Sequence, residues 1–393
     1  MSELTVRDMG TLFDGPHATP TRIESGPYFL NIASLSGGRL ELDQSDHVSE
    51  ADFEKWTKRV EPTEGDLLFS YETRLGEAAL MPAGVRACLG RRMALIRPNR
   101  SVVNPKFLLY YYLSPGFQRT IEQHTIHGAT VNRISLSTMG AWPVALPSLG
   151  EQQAIAEVLG ALDDKIAANT KLAATASELA GLKYDHSAAD FDARPMSDVL
   201  TPVLGGTPAR SRADFWGGDR LWASAKDITG AQFGVVLSTD EKITEGAVAG
   251  TKAKPLPAGS VILTARGTVG AVARLAAPAS FNQSCYGFVP GAIPPGVLYF
   301  AITRAVLRAK EIAHGSVFDT ITMKTFDHLP FPDFDAEALA ATECEMGPLL
   351  EVVAGVVREN SSLAEARDTL LPQLMSGKLR VKDAEKVLEN AGV

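Results

Sequence analysis

Two histidines three residues apart, His124 and His127, are the kind of pair a tetrahedral metal takes. No third ligand stands at a matching spacing, so the expectation is that the chain binds no metal. The glycine-rich stretches do not make phosphate loops. Gly246 to Lys252 has the wrong spacing, and Met375-Ser376-Gly377-Lys378-Leu379 lacks the leading glycine and the hydroxyl. Gly205-Gly206-Thr207-Pro208 runs into a proline and reads as a turn. Asp240-Glu241-Lys242 is a turn-like charge cluster without the spacing of a nuclease triad. Neither an Asn-Pro-Pro-Tyr-like methyltransferase string nor a Gly-x-Ser-x-Gly elbow occurs. The catalytic tools are missing, whereas side chains able to read nucleic acid are present. Arginine and lysine make bidentate or point contacts to guanine, and asparagine and glutamine pair with adenine. Such residues cluster in loop-like stretches at Arg91-Arg92, Asn132-Arg133, Arg210-Ser211-Arg212, Lys226 and Asn282-Gln283. Arg74 and Arg266 follow two strand-like runs, where a phosphate contact fits. Each of these residues, taken singly, also fits a surface ion pair or a turn.

The net charge of −8 opposes nucleic-acid binding if it is spread evenly. It is not. Between Arg86 and Arg133 eight basic residues face one acid, Glu122, and between Thr201 and Glu311 twelve basic residues face seven acidic ones. A charge-segregated protein can carry a basic face while acidic overall. The cysteines Cys88, Cys285 and Cys344 lie far apart and form neither a disulfide framework nor a zinc pattern. No run approaches the ~18 apolar residues of a membrane span, and the first residues carry no basic start followed by an apolar run. A cytoplasmic protein without membrane contact is expected.

The elements that must hold these residues come in duplicate. His127-Gly128 recurs as His314-Gly315, and at the same offset of 187 Ile134 matches Ile321, Thr138 matches Thr325 and Pro143 matches Pro330. Earlier in each half, Gly65-Asp66-Leu67-Leu68-Phe69-Ser70 aligns with Gly259-Ser260-Val261-Ile262-Leu263-Thr264, Gly76 with Gly270, and Thr19-Pro20 with Thr207-Pro208. Three echoes in one order indicate a duplicated chain. Each copy is a mixed region of short strands and turns followed by a long helix.

The first helix opens on a capping box, Ser148 to Glu151. Ile155, Leu159, Leu162, Ile166, Asn169, Ala173, Ala176 and Ala180 then alternate at spacings of four and three, a heptad seam that needs a partner helix. The second helix, from about Ala336 to Leu371, carries Leu339, Met346, Leu349, Val353, Val356, Asn360, Leu363 and Leu370. A kink or restart is expected at its Gly347-Pro348. Asn169 and Asn360 sit at matching places, where a polar seam residue fixes register or simply meets solvent. The simplest arrangement is an antiparallel, coiled-coil-like pair separating two duplicated mixed domains, an α+β fold. The expected boundaries are 1–147 and 185–333 for the two domains, 148–184 and 334–372 for the helices, and 373–393 for a C-terminal segment. The first helix has a further apolar row at Leu172, Leu179 and Leu182, which one partner helix cannot cover, so a second partner is expected there.

The string from Trp142 through Pro147-Ser148-Leu149-Gly150-Glu151-Gln152-Gln153 to Ile155 and Ala156, its continuation Leu162-Asp163-Asp164-Lys165-Ile166, and the stretch Leu370-Leu371-Pro372-Gln373-Leu374-Met375-Ser376-Gly377-Lys378-Leu379-Arg380-Val381 resemble specificity subunits of type I restriction–modification enzymes. Repeat, domain order and helix placement match that family along essentially the whole chain. The resemblance implies two target-recognition domains, each reading one half of a split double-stranded DNA target. It implies long helices that dock two methyltransferase subunits, with Glu151 and Gln152 at the docking entry. It also implies restriction subunits as further partners, and S-adenosylmethionine, ATP and Mg on those partners rather than on this chain. The second half departs from the family string: Asp333-Phe334-Asp335-Ala336-Glu337-Ala338-Leu339 lacks Glu-Gln-Gln, which puts equivalence of the two docking sites in question. A fused restriction-type enzyme and a protein-only coiled-coil adaptor remain the alternatives.

Overall fold

The structure, a computed structural model, describes residues 4–128, 130–312 and 320–390. His314-Gly315 of the second repeat lies outside the described residues. The chain forms two compact units, Met1–Lys165 with Leu363–Val393, and Ile166–Ser362. Each unit therefore owns one mixed region and a part of each long helix.

Unit 1 contains β1 (Gly10–Asp14), β2 (Arg22–Leu30), β3 (Asp46–Val48), β4 (Leu67–Ser70), β5 (Ala78–Leu80), β6 (Ala87–Leu89) and β7 (Met93–Pro98). One antiparallel sheet has the order β1-β7-β4-β5, with Leu95 of β7 opposite both Phe13 and Leu68. All of β4 is buried, as its continuous Leu-Leu-Phe run requires of a central strand covered on both faces. A second sheet pairs β2 antiparallel to β3 and parallel to β6. Helix α1 (Glu50–Trp56) is followed by α2 (Pro105–Leu113) and α3 (Pro115–Gln123), each of the last two with proline in its first turn, where no amide hydrogen is missed. Asn104 and Ser114 cap them by accepting from Phe107 and Phe117 backbone N–H. Helix α4 (Leu149–Ala188) starts on the Ser148–Glu151 capping box: the Glu151 carboxylate accepts from both the N–H and the hydroxyl of Ser148, at 3.0 and 2.7 Å.

Unit 2 repeats the plan strand for strand: β8 (Val203–Leu204), β9 (Trp216–Ala223), β10 (Glu241–Ile243), β11 (Val261–Thr264), β12 (Val272–Leu275), β13 (Ala279–Phe281) and β14 (Cys285–Phe288). Its sheets run β8-β14-β11-β12, extended by Val235–Val236, and β10-β9-β13, with β13 parallel to β9 as β6 is to β2. Helix α5 (Glu245–Gly250) stands where α1 does, and one helix, α6 (Pro295–Ile312), takes the place of α2 and α3. The turn glycines repeat as well. Gly65 and Gly259 have φ of 86° and 81°, and Gly76 and Gly270 have 88° and 80°, in the left-handed region that glycine enters freely. The fold is α+β, duplicated, with two long helices.

Every expected seam residue of α4 is buried, from Ile155 to Ala180. Helix α7 (Ala336–Met375) runs antiparallel to α4 within unit 2: Lys183 pairs with Glu345 at 2.8 Å, Asn169 Nδ2 donates to Glu359 at 2.8 Å, and Ala173 and Ala176 pack with Val353, Val356 and Val357. Leu363 is buried, and in unit 1 Arg367 Nη1 donates to Asp163 at 2.8 Å.

Two expectations for α7 need correction. The helix continues through Gly347-Pro348 with no restart. Pro348 stands at an exposed position, where water can take the carbonyl that proline frees. Met346 and Leu350 pack on either side of it at the start of α6, and the Glu343 carboxylate accepts from Gly296 and Val297 N–H at 3.1 and 3.0 Å. Leu349, expected in the seam, is only half-buried; Leu350 takes the buried place. Past α7, Gly377 at φ 69° turns the chain, and a last helix, α8 (Val381–Asn390), follows.

Candidate nucleic-acid interface

In unit 1 three segments meet beyond the end of β4. The chain leaving β4 runs through Tyr71 to Arg74, the turn between β6 and β7 is Gly90-Arg91-Arg92, and the third segment is the hairpin of Thr125–Ile126 with Arg133–Ile134. Backbone bonds tie them together: Tyr71 N–H donates to the Arg92 carbonyl at 3.2 Å, Ile134 N–H to Tyr71 at 2.8 Å and Thr73 N–H to Asn132 at 3.0 Å. Thr73 is held at φ 71°, a strained value for a β-branched residue. Of the residues expected here, Arg91, Asn132 and Arg133 are exposed on this platform. The Arg91 and Arg133 guanidiniums make no ion pair or hydrogen bond among the described residues. Asn132 Oδ1 lies 3.3 Å from His127 Nδ1.

Two expected contacts in unit 1 are otherwise engaged. Arg74 donates to the Ile32 carbonyl at 2.8 Å and to Glu77 at 3.3 Å, which braces the loop rather than presenting a free charge. Arg92 pairs with Glu72 at 2.9 Å.

Unit 2 builds the same platform. Ala265 N–H donates to the Ser284 carbonyl at 2.8 Å and Ile321 N–H to Ala265 at 3.0 Å, the counterparts of the Tyr71 and Ile134 bonds. Arg266 is exposed and makes no ion pair or hydrogen bond among the described residues. Gln283 is exposed on the turn between β13 and β14, and its Oε1 accepts from the Thr207 hydroxyl. Asn282 is half-buried, its Oδ1 taken by Ser284 N–H at 3.1 Å, so it shapes the turn.

Arg210, Arg212 and Lys226, expected as free contacts, are held by carboxylates. Arg210 forks onto Glu241 and stacks over Trp216 with its guanidinium carbon 3.8 Å from the ring centre. The hydrogen bonds from Arg210 hold the Glu241 carboxyl below its ordinary range, and the same bonds raise the arginine. Arg212 grips Asp214 in two hydrogen bonds, 2.8 and 2.6 Å, over the Phe215 ring, and depresses that carboxyl likewise. Lys226 meets Asp240 at 2.7 Å, which raises its pKa. All three pairs are exposed, so each is weakly held and open to exchange for a phosphate. Reading by residue type found these cations but not their partners. Asp240-Glu241 was visible as a charge cluster, and its partners across the fold were not.

Residues 29–176 and 190–332 match the type I restriction modification DNA specificity domain, two copies in one chain. The chain belongs to that family.

Among its relatives, the MjaIX type I restriction enzyme specificity subunit of Methanocaldococcus jannaschii is 27% identical over 158 residues, which are 39% of this chain and 37% of that protein. The HindI specificity subunit of Haemophilus influenzae is 21% identical over 373 residues, 73% of this chain and 80% of its own length. A type I restriction-modification S subunit from M. genitalium has the same fold, with a TM-score of 0.61 at 14% identity over 95% of both chains. The duplicated platforms of this specificity-family chain thus fall inside the two matched domains, since Arg91 and Asn132 lie in the first and Arg266 and Gln283 in the second.

The docking residues expected on α4 divide into two groups. Leu172, Leu179 and Leu182 are exposed by 50%, 42% and 59%, an uncovered apolar row. Glu151 is spent on its capping box. Gln152, expected at the docking surface, is instead 1% exposed: its amide donates to the Val102 and Pro147 carbonyls, each at 3.0 Å, and accepts from Asn104 N–H at 2.9 Å. Among the described residues no group of three or more His, Cys, Asp or Glu is placed to hold a metal ion, and no helix is long and apolar enough to cross a membrane.

Proposed function

We propose that this chain is the sequence-recognition subunit of a type I restriction–modification complex, with each duplicated domain reading one half of a bipartite double-stranded DNA target. The observation that carries this reading is the repetition of one loop platform, with the same backbone bonds and exposed arginine and amide side chains, in both matched domains. Phosphate contacts position such a protein, and base-edge contacts from a few exposed Arg, Asn and Gln specify the sequence. The uncovered Leu172–Leu179–Leu182 row suits a methyltransferase subunit, and the duplication suits two of them. In this reading the chain catalyses nothing itself. Methyltransferase and restriction subunits carry S-adenosylmethionine, ATP and Mg, and the complex works in the cytoplasm.

The test is a gel shift of full-length chain on a pool of random duplexes, with and without the methyltransferase subunits of its own system, alongside a methylation assay of the chain alone. The expected result is retention of duplexes sharing two short motifs at a fixed gap, and no methyl transfer by the chain alone. Retention without any shared motif overturns the half-site reading, and methyl transfer by the purified chain restores the fused-enzyme alternative.

A further inference from the structure

The turn between the sixth and seventh strand of each domain is the same object twice. In unit 1, Gly90 N–H donates to Leu30, Met93 N–H to Gly90, Tyr71 N–H to Arg92 and Gly15 N–H to Met93, at 2.7, 3.0, 3.2 and 2.9 Å. In unit 2, Asn282 N–H donates to Ala223, Cys285 N–H to Asn282, Ala265 N–H to Ser284 and Gly205 N–H to Cys285, at 3.0, 3.2, 2.8 and 3.3 Å. These four bonds superpose Gly90-Arg91-Arg92 on Asn282-Gln283-Ser284 residue by residue. The two middle residues, Arg91 and Gln283, occupy one structural position.

That position differs from its neighbours in being free to act. Arg92, beside Arg91, is tied to Glu72, and Asn282, beside Gln283, spends its Oδ1 on Ser284 N–H. Arg91 is exposed; its carbonyl accepts from the Tyr71 hydroxyl at 2.7 Å, and its guanidinium makes no ion pair or hydrogen bond among the described residues. Gln283 is exposed, and the Thr207 hydroxyl donating to its Oε1 holds the amide, with Nε2 unpartnered among the described residues and one acceptor lone pair left. The turn itself is rigid, because its base is bonded to the neighbouring strands on both sides. A rigid turn with one free polar tip suits base-edge contact better than a long mobile side chain on a loose loop.

We infer that the tip of this turn is a specificity-determining position in both domains: Arg91 selects guanine in one half-site and Gln283 selects adenine in the other. The pairing follows donor and acceptor geometry. A guanidinium presents two donors to the O6 and N7 of guanine, and a carboxamide presents one donor and one acceptor to the N7 and N6 of adenine. Thr207 acts through Gln283 as a positioning residue. The inference rests on the half-site reading proposed above.

The experiment is selection from random duplexes by the full-length chain with its methyltransferase subunits, for the wild type, Arg91→Gln, Gln283→Arg and Thr207→Val. The wild type is expected to yield a two-part motif. Absence of any motif in the wild type means that the half-site reading itself has failed. Given a motif, Arg91→Gln is expected to change one guanine of one half to adenine, and Gln283→Arg one adenine of the other half to guanine, each with roughly a five- to hundredfold change in preference at that position. Thr207→Val is expected to relax discrimination at the Gln283 position alone. An unaltered motif in both exchange variants overturns the inference. So does a uniform loss of affinity over all sequences with a shallower salt dependence, which marks a phosphate contact. Loss of all binding by variants that melt like the wild type counts against it too, since a tip that only discriminates leaves the phosphate contacts standing.

Discussion

At the scale of single residues, exposure separates the side chains that can serve a partner from those that hold the fold. Gln152 belongs to the second kind. Its three hydrogen bonds join α4 to the chain before α2 and to the Pro147 entry, all in unit 1. Gln152→Ala leaves a buried N–H and two carbonyls without partners, at about 1–3 kcal/mol for each group that water cannot reach. A fall of at least about 2 kcal/mol in urea-unfolding free energy is the expected outcome. Unchanged stability together with lost methyltransferase binding would return Gln152 to the docking surface. The cysteines divide in the same way. Burial pushes the Cys88 and Cys285 thiols up to about 12, so both stay protonated and sheltered at pH 8. Cys344 is exposed on α7. A maleimide is expected to label the native chain once, at Cys344, as read by peptide mass spectrometry; labelling of Cys88 or Cys285 at a comparable rate contradicts this packing.

Among the elements, α4 was legible almost completely, because a seam spaced by four and three leaves few choices of buried face. Helix α7 was less so. A 3.6-residue helix drifts about 20° per heptad against a 3.5-residue repeat. Where α7 packs against α6 as well as α4 in unit 2, the buried stripe therefore runs Met346, Leu350, Val353 and passes over Leu349. On α4 the apolar row outside the seam is uncovered, so a change there tests docking without emptying a core. The double variant Leu172→Asp with Leu179→Asp is expected to keep the wild-type circular dichroism and melting temperature. It is also expected to lose the methyltransferase in a pull-down, since charge in a desolvated interface costs roughly several kcal/mol. Full-strength capture of the partner by this variant places the dock elsewhere.

For the molecule as a whole, charge is organised by pairing rather than by net sign. Hydrogen bonds from Arg86, Arg212, Arg210 and Lys183 lower the Glu50, Asp214, Glu241 and Glu345 carboxyls from their ordinary values. A carboxyl whose pKa is depressed by folding stabilises the native state above its unfolded pKa, and that stabilisation is lost as pH falls through the lowered value. The pairs are exposed and individually weak, but they act in one direction. Stability is thus expected to hold from neutral pH to about pH 5 and to decline below the ordinary glutamate value of 4.5. The decline should be softer in Glu50→Gln and Glu241→Gln, as followed by melting temperature against pH. A melting temperature that rises from pH 5 to pH 3 contradicts the pairing.

The sequence by itself determined the duplication, the α+β class, the capping box of α4 and its seam, because each rests on local spacing: repeated strings, a 3.5-residue period, a Ser-x-x-Glu step. It also picked out the residue types suited to nucleic acid. Which of those were free was decided only by tertiary structure. Arg92 and Arg91 are neighbours in sequence, yet one is spent on Glu72 and the other is not. Arg210 and Arg212 look alike, yet Arg212 pairs with Asp214 two residues on, while Arg210 found Glu241, a carboxylate that only folding brings near. Gln152 stands in a string that reads as a surface motif, and the fold buries it because the chain before α2 offers a carbonyl and an N–H, and the Pro147 entry a second carbonyl, a set that suits a carboxamide. Spacing along a chain specifies which face an element buries; which polar atoms meet across that face depends on long-range packing, and no local pattern encodes it.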